Sequence, residues 1–322
     1  MLKIWSRQLN SQQRHAASSS PSIRIWSYTS LDYISIPTVA PLAVYAPGCR
    51  TLPWQCLHSS GELEAFMLQP DTAELFFKTD AGSKGRGALS LGRRLSPESW
   101  MRLPDEAEMT LDEVVAQLGK VRGGCWLVQR RLVPHTAIAD VVPHVCPTIR
   151  VMTLLDGDKV HVTGALVRFG DGNFPADNAG SGGIVFLIDL ATGKLSKGAH
   201  TVDGRTIFRS SHHRTRVEVA GRKIPFWTEI VALAKSAASN FPASPYLGWD
   251  IVVTQDGPLI LETNSMSGLL SLQKLNEKGV LETELRKFIE PVQGVLLSGV
   301  TLREPDHRPQ QDDLLPRIRQ AG

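Results

Sequence analysis

Residues 248–268 read GWDIVVTQDGPLILETNSMSG, and this stretch decides the fold. Two apolar runs, Leu247 to Thr254 and Pro258 to Thr263, flank Gln255-Asp256-Gly257, a composition that closes a β-hairpin. Asp250 lies on the first strand, and Glu262 and Asn264 lie two residues apart on the second. Side chains alternate along a strand, so Glu262 and Asn264 point to one face, and the hairpin folds Asp250 back towards them. Two carboxylates and an amide oxygen then converge as a hard-oxygen site. Such a set suits magnesium, with manganese as an alternative ion, because magnesium fills its remaining positions with water and nucleotide phosphate oxygens. The same residues on an exposed hairpin would merely face water, and Asn264-Ser265 could instead cap a helix. What lies upstream decides between these readings.

Residues 73–91 read AELFFKTDAGSKGRGALSL: a strand ending at Lys78, a glycine-rich turn, and a second strand from Ala88. Alternation sets Phe77 and Lys78 on opposite faces, so the lysine can reach nucleotide phosphates as a point charge. In the turn, Gly82, Ser83, Gly85 and Gly87 offer backbone N–H groups unobstructed by bulky side chains, which suits an anion. It is not a Walker loop, because neither a Lys-Ser/Thr pair nor a helix follows the last glycine. Further on, CWLVQRRL (125–132) reads as a strand. Backbone groups around Val128 to Arg131, Val128 and Gln129 first among them, could pair with an adenine edge, and Arg130 or Arg131 could meet ribose or phosphate. Exposed basic residues at a strand edge would read the same way.

Arg150 sits mid-strand in PTIRVMTLL (147–155), where an unpaired guanidinium would be costly. Either it pairs with a buried carboxylate, or it faces a cleft and binds phosphate or a substrate carboxylate bidentately. KVHVTGALVRF (159–169) forms a hairpin with it across Asp156-Gly157 and places Arg168 beside it. Residues 177–183, DNAGSGG, read as a loop where backbone approaches a ligand. His212, His213 and Arg214 read as a solvated loop. Adjacent histidines cannot both face one metal from a strand, so zinc is not expected. His135 and His144 read as structural.

Amphipathic helices are expected at residues 59–68, 110–121 and 224–240, strands at 125–132 and 182–189, and a further helix from about 285 to 299. Residues 31–48 read as extended and proline-punctuated. Across 322 residues, 42% are hydrophobic, 21% charged, and the net charge is +3. That profile describes an ordinary globular protein and points to neither nucleic acid nor an anionic membrane as partner. The apolar runs are too short to span a bilayer. Cys49, Cys56, Cys125 and Cys146 form no Cys-x-x-Cys pair and read as thiols of a reducing, cytoplasmic compartment, although Cys49 and Cys56 are near enough in sequence to pair. Residues 1–30 carry basic and serine residues without an acid, a composition like a transit peptide that we read as a disordered leader.

Taken in order, FFKTDAGSKGRGALSL, WLVQRRLVPH, PTIRVMTLL, DNAGSGGIVFLIDLATGKL, RKIPFWTEI and GWDIVVTQDGPLILETNS resemble the ATP-grasp superfamily, and within it the sugar-transfer-associated ATP-grasp proteins. The resemblance covers most of residues 31–290. It implies an α+β fold in which two lobes with antiparallel sheets clasp ATP. Residues 31–135 would form the part with the first lobe, 136–300 the second lobe with the metal site, and 301–322 a flexible tail. Lys78 would bind phosphates, Asp250, Glu262 and Asn264 would hold magnesium, and Arg150 and Arg168 would contact phosphate or an acyl phosphate, acting with Lys78 in catalysis. The sequence departs from the superfamily at Gln129-Arg130-Arg131, where many members carry glutamate. By the same resemblance, the preceding domain that often shapes the substrate site is expected to be reduced here to the short leader. The implied activity is ATP-dependent ligation of a small-molecule carboxylate to an amine or thiol through an acyl phosphate, with an association to glycan or sugar-conjugate biosynthesis. A phosphotransferase and a non-catalytic nucleotide-binding partner of glycan-modifying enzymes are the alternatives. A homodimer is one assembly open to it.

Overall fold

The computed structural model of the protein describes residues 28, 30–46, 54–70, 72, 74–80, 87–120, 125–177, 182–264, 269–276 and 286. The leader (save Tyr28 and Ser30), Cys49, the expected helix at 285–299 (save Arg286) and the tail lie outside them. All described elements belong to one compact unit, Met1–Val280.

The first sheet is built from β1 (Ala43–Tyr45), β2 (Gln55–Leu57), β3 (Leu75–Thr79), β4 (Leu89–Ser96), β5 (Ser99–Leu103), β6 (Glu108–Thr110) and β7 (Trp126–Arg130), in the order β2-β1-β7-β3-β4-β5-β6. Helices α1 (Ser60–Met67) and α2 (Leu111–Gly119) cover one face, where Leu63, Phe66, Val114 and Leu118 pack against Leu75, Phe77, Leu91 and Val128. The caps are local. Ser59 accepts the Glu62 N–H at α1, and Thr110 with Glu113 forms a reciprocal capping box at α2, each worth about 1 kcal/mol.

The second sheet runs β12-β11-β10-β9-β8-β13-β14. Its strands are β8 (Thr148–Asp156), β9 (Lys159–Phe169), β10 (Ile184–Ile188), β11 (Leu195–Val202), β12 (Arg205–Arg209), β13 (Tyr246–Thr254) and β14 (Gly257–Asn264). A short α3 (Thr136–Ala139) precedes it. Helix α4 (Trp227–Ser239) covers one face through Trp227, Ile230, Ala234 and Ala237, which pack with Ile149, Val151, Val167, Trp249 and Ile251. On the opposite face, α5 (Leu269–Asn276) covers one end, where Leu272 packs on Met152, Leu166 and Val185.

Several elements differ from the sequence expectation. Residues 30–33 are helical rather than extended, and Leu31 is buried in the second core. Helix α4 starts at Trp227 rather than Ile224 because Phe226 is left-handed, with φ of 54°. The pairs β5–β6 and β11–β12 had no legible signal. In β12, for example, Ile207 and Phe208 are both exposed, so no alternation marks the strand.

Residues 37–42 stitch the two sheets together. Ile260 on the edge strand β14 donates to Pro37 O (2.9 Å) and accepts from Thr38 Oγ1 (2.8 Å), while Leu42 N–H reaches Val128 O on β7 (2.8 Å). A second link runs from His135 N–H to Val253 O at 2.9 Å. An otherwise open sheet edge is thus covered.

Candidate functional site

Two hairpins of the second sheet carry the site, and each contains one extra residue. In β13–β14 the pairing runs from Thr254↔Gly257 to Ile251↔Ile260, then resumes at Asp250↔Glu262, so Leu261 has no partner. In β8–β9 it runs from Asp156↔Lys159 to Thr153↔Val162, then resumes at Met152↔Gly164, skipping Thr163. A bulge shifts every later residue to the other face. With an unbroken register Asp250 would face Leu261, and Glu262 would point to the apolar face with Ile260. The shift turns Glu262 and Asn264 to the Asp250 side, and in the first hairpin it turns Arg168 to the Arg150 side. Asp250 also stands opposite Arg150 across β13–β8. Five polar side chains thereby share one face.

Asp250 is almost wholly buried and carries two guanidinium groups. Arg150 grips it through both oxygens, Nε–Oδ1 and Nη2–Oδ2 each at 2.6 Å, and Arg168 Nη2 reaches Oδ2 at 3.3 Å. Of the two roles open to Arg150 from sequence, the pairing with a buried carboxylate is present. Burial pushes the Asp250 carboxyl up, but the Arg168 charge and the Arg150 hydrogen bonds outweigh it and hold the group below the usual carboxylate range. Burial likewise opposes the Arg168 charge, yet Asp177, Asp250 and Glu262 raise its pKa and keep it protonated. Asp177 is the second anchor. It accepts from Thr148 N–H (2.9 Å) and Thr148 Oγ1 (2.7 Å) and lies 3.4 Å from Arg168 Nε. For Asp177 burial wins and raises the carboxyl above its ordinary value.

Several buried donors at this face remain unmet, Tyr246 Oη and two at the polar centre among them. Arg168 Nε and Asn264 Nδ2 are buried and make no hydrogen bond among the described residues. The Asp177 contact, at 3.4 Å, is an ion pair longer than an ordinary hydrogen bond. Buried orphan donors are uncommon and mark places where a ligand oxygen completes the structure. The chemistry of Glu262 and Asn264, a carboxylate and an amide oxygen on one face of one strand, fits a magnesium ion. Asp250 is different: its oxygens already hold two arginines, so an ion bound there would share the carboxylate with two guanidinium groups.

Lys78 lies on β3, with the neighbouring Phe77 fully buried in the first core on the opposite face. Its Nζ donates to Tyr28 Oη at 2.5 Å and stands 5.0 Å from that ring's centre. Gly87 closes the glycine-rich turn with φ of 78°, while Gly82, Ser83 and Gly85 lie outside the described residues. Val128 O is taken by Leu42 N–H, the buried Gln129 side chain donates to Val39 O, and Arg131 N–H meets Glu74 O. The Val128 carbonyl, the Gln129 side chain and the Arg131 N–H therefore each have a partner within the protein.

In the loop at 212–214 Arg214 is exposed, as expected, but the two histidines are not solvated. His212 is completely buried, with Nε2 3.0 Å from Gly170 O and the Thr215 N–H directed at Nδ1, which makes it a neutral ring protonated at Nε2. His213 Nε2 pairs with Asp171 at 2.8 Å and stacks on His200 at 4.0 Å. Burial lowers the pKa of both His212 and His200. The polar run HHR disguised this packing, because the partner groups come from the β9 exit and β11. His135 caps α3, and His144 pairs with Glu106 at 3.0 Å. Asp177 and Tyr28 were missed by sequence reasoning: the first was visible only as the start of a glycine-rich loop, and the second sat in the leader with no distinguishing pattern.

Two seven-stranded, mostly antiparallel sheets with few helices make this an α+β fold. A profile described as sugar-transfer associated ATP-grasp matches residues 32–289, and the chain belongs to that family. No curated protein matches it. Among solved structures, an ADP complex of N5-carboxyaminoimidazole ribonucleotide synthetase is 12% identical with a TM-score of 0.42, over 78% of this chain and 46% of that one. Biotin carboxylase from Campylobacter jejuni is 10% identical with a TM-score of 0.43, over 80% and 42%. D-alanyl-alanine synthetase A from Vibrio cholerae is 12% identical with a TM-score of 0.41, over 77% and 56%. The chain spans about half the length of these structures. Among the described residues no helix is long and apolar enough to cross a membrane.

Proposed function

We propose that the protein is an ATP- and magnesium-dependent ligase that joins a small-molecule carboxylate to an amine or thiol, in glycan or sugar-conjugate biosynthesis. The observation that carries this reading is the Arg150–Asp250–Arg168 centre with its unmet donors, on the same face as Glu262 and Asn264. A cationic, partly unsatisfied, buried centre favours a bound oxyanion over solvent.

In this reading ATP lies between the sheets with its phosphates at Lys78. Glu262 and Asn264 would hold magnesium, which neutralises charge on the terminal phosphates when bound. The substrate carboxylate attacks the γ-phosphorus, the bond to the β,γ-bridging oxygen breaks, and ADP leaves. Arg168 Nε and the outer face of Arg150 meet the oxygens of the acyl phosphate. Asp250 keeps both guanidinium groups oriented without accepting a proton, since its carboxyl is held below the usual range. The amine then attacks the acyl carbon, phosphate departs with the C–O bond electrons, and the amine loses a proton. Holding both reactants together supplies much of the rate.

The test is to incubate the protein with ATP, magnesium, pooled carboxylic acids and hydroxylamine, and to measure ADP, AMP and hydroxamate. Acid-dependent ADP and hydroxamate, lost in Lys78→Ala and Glu262→Ala, are expected. AMP with pyrophosphate would sink the acyl-phosphate route. A phosphorylated acceptor formed without amine would replace it with phosphotransfer to a hydroxyl.

A further inference from the structure

Tyr28 lies outside the family match and has no role in the site derived so far. It is 1% exposed and packs with Val44 and Leu127 on the first-sheet face opposite α1 and α2. Trp54 meets its ring edge-on, with centroids 6.5 Å apart. Its hydroxyl makes two contacts at once: it accepts from Lys78 Nζ at 2.5 Å and donates to Leu261 O at 2.5 Å. Leu261 is the extra residue of the β13–β14 bulge, the one whose insertion turns Glu262 and Asn264 to the site. A residue skipped by the pairing register needs a hydrogen-bond donor from elsewhere, and Tyr28 supplies it.

We propose that Tyr28 is a positioning residue for phosphate binding: one phenol orients the Lys78 ammonium and pins the bulge that presents Glu262 and Asn264. The inference rests on the nucleotide reading above. An ammonium has three donors. With one committed to Tyr28 and the ring beneath it, its remaining N–H groups have a defined direction for phosphate oxygens. Without the hydroxyl, the flexible lysine stem must be ordered by the ligand itself, and affinity for phosphate falls while affinity for the nucleoside does not.

The test measures binding of adenosine, AMP and Mg·ADP to the full chain by calorimetry, for wild type, Tyr28→Phe, Lys78→Met and the double variant, with thermal unfolding alongside. Tyr28→Phe keeps the ring and its packing. It should weaken Mg·ADP about tenfold, as expected for one hydrogen bond to a charged group, and leave adenosine within about twofold, a change of under about 0.5 kcal/mol. On the Lys78→Met background the loss should shrink to the part that runs through the bulge, and an undiminished tenfold loss there would overturn the role in orienting the lysine. Equal loss for adenosine and Mg·ADP would mean general damage to the cleft and overturn the proposal. Unchanged or tighter Mg·ADP binding would also overturn it, the latter marking the phenol as an obstruction. If wild type and Lys78→Met bind Mg·ADP equally, the nucleotide reading of Lys78 fails, and this proposal with it.

Discussion

The β8–β9 and β13–β14 hairpins use one device for two ends. Each closes with a tight turn, runs several residues in simple register, and then admits one unpaired residue in its second strand. In β8–β9 the shift gathers like charges, Arg150 and Arg168. In β13–β14 it gathers oxygen donors, Asp250 with Glu262 and Asn264. The centre forms where the hairpins meet, because Asp250 pairs with Arg150 across β13–β8. Register, not composition, sets which residues meet, and a single added residue is the cheapest way to change the face of a whole strand end.

The hardest break of this comparison is insertion of one alanine between Leu261 and Glu262. With the one-residue bulge kept, it sets the alanine opposite Asp250 and Glu262 opposite Trp249, on the apolar face under α4, where an unpaired carboxylate costs several kcal/mol. Loss of cooperative unfolding is expected, whereas a variant that melts like wild type would show that the bulge takes up a second residue. Next in size is Asp250→Ala, which removes the carboxylate held between Arg150 and Arg168 while Arg168 keeps its ion pair with Asp177. Urea denaturation should show a loss of about 3–5 kcal/mol. A loss below about 1 kcal/mol would mean that the arginines find other partners.

pH separates the hairpins further. His212 and His200, at the β9 exit and on β11, have pKa values lowered by burial, so the unfolded chain binds more protons than the folded one below the ordinary histidine value. Their neutral rings contribute stability that is complete above about pH 6.5 and is lost as pH falls below it. Asp250 has a carboxyl lowered in the fold, so its contribution is complete above about pH 3.9 and is lost only as pH falls through its own lower value. The urea midpoint should therefore drop between pH 7.5 and 5.5, and His212→Gln should flatten that drop. An unchanged slope in the variant would exclude His212 as the titrating group.

The smallest effects belong to the turns. Gly157 has φ of 57° and Gly257 has φ of 120°, with no atom near an added Cβ at either. Asparagine visits the first conformation but not the second. Thermal melts should show Gly157→Asn within about 0.5 kcal/mol of wild type and Gly257→Asn about 1–3 kcal/mol below it. Equal effects would show that the second turn relaxes.

The sequence by itself determined both hairpins, the helices that open near residues 59 and 110, the strand that presents Lys78, and the common face of Glu262 and Asn264. These follow from periodicity and turn chemistry, which act between neighbours. It also exposed the unusual position of Arg150 without identifying its partner. Only the tertiary structure decided that Asp250 shares the Glu262 face, because counting back from the turn puts Leu261 there instead. It alone joined Arg150 and Arg168 to Asp250, Asp177 to Arg168, and Tyr28 to both Lys78 and Leu261. Tyr28 and Lys78 are 50 residues apart and Tyr28 and Leu261 are 233 apart. Packing two sheets against a connecting segment creates such contacts, and no local pattern in the chain encodes them.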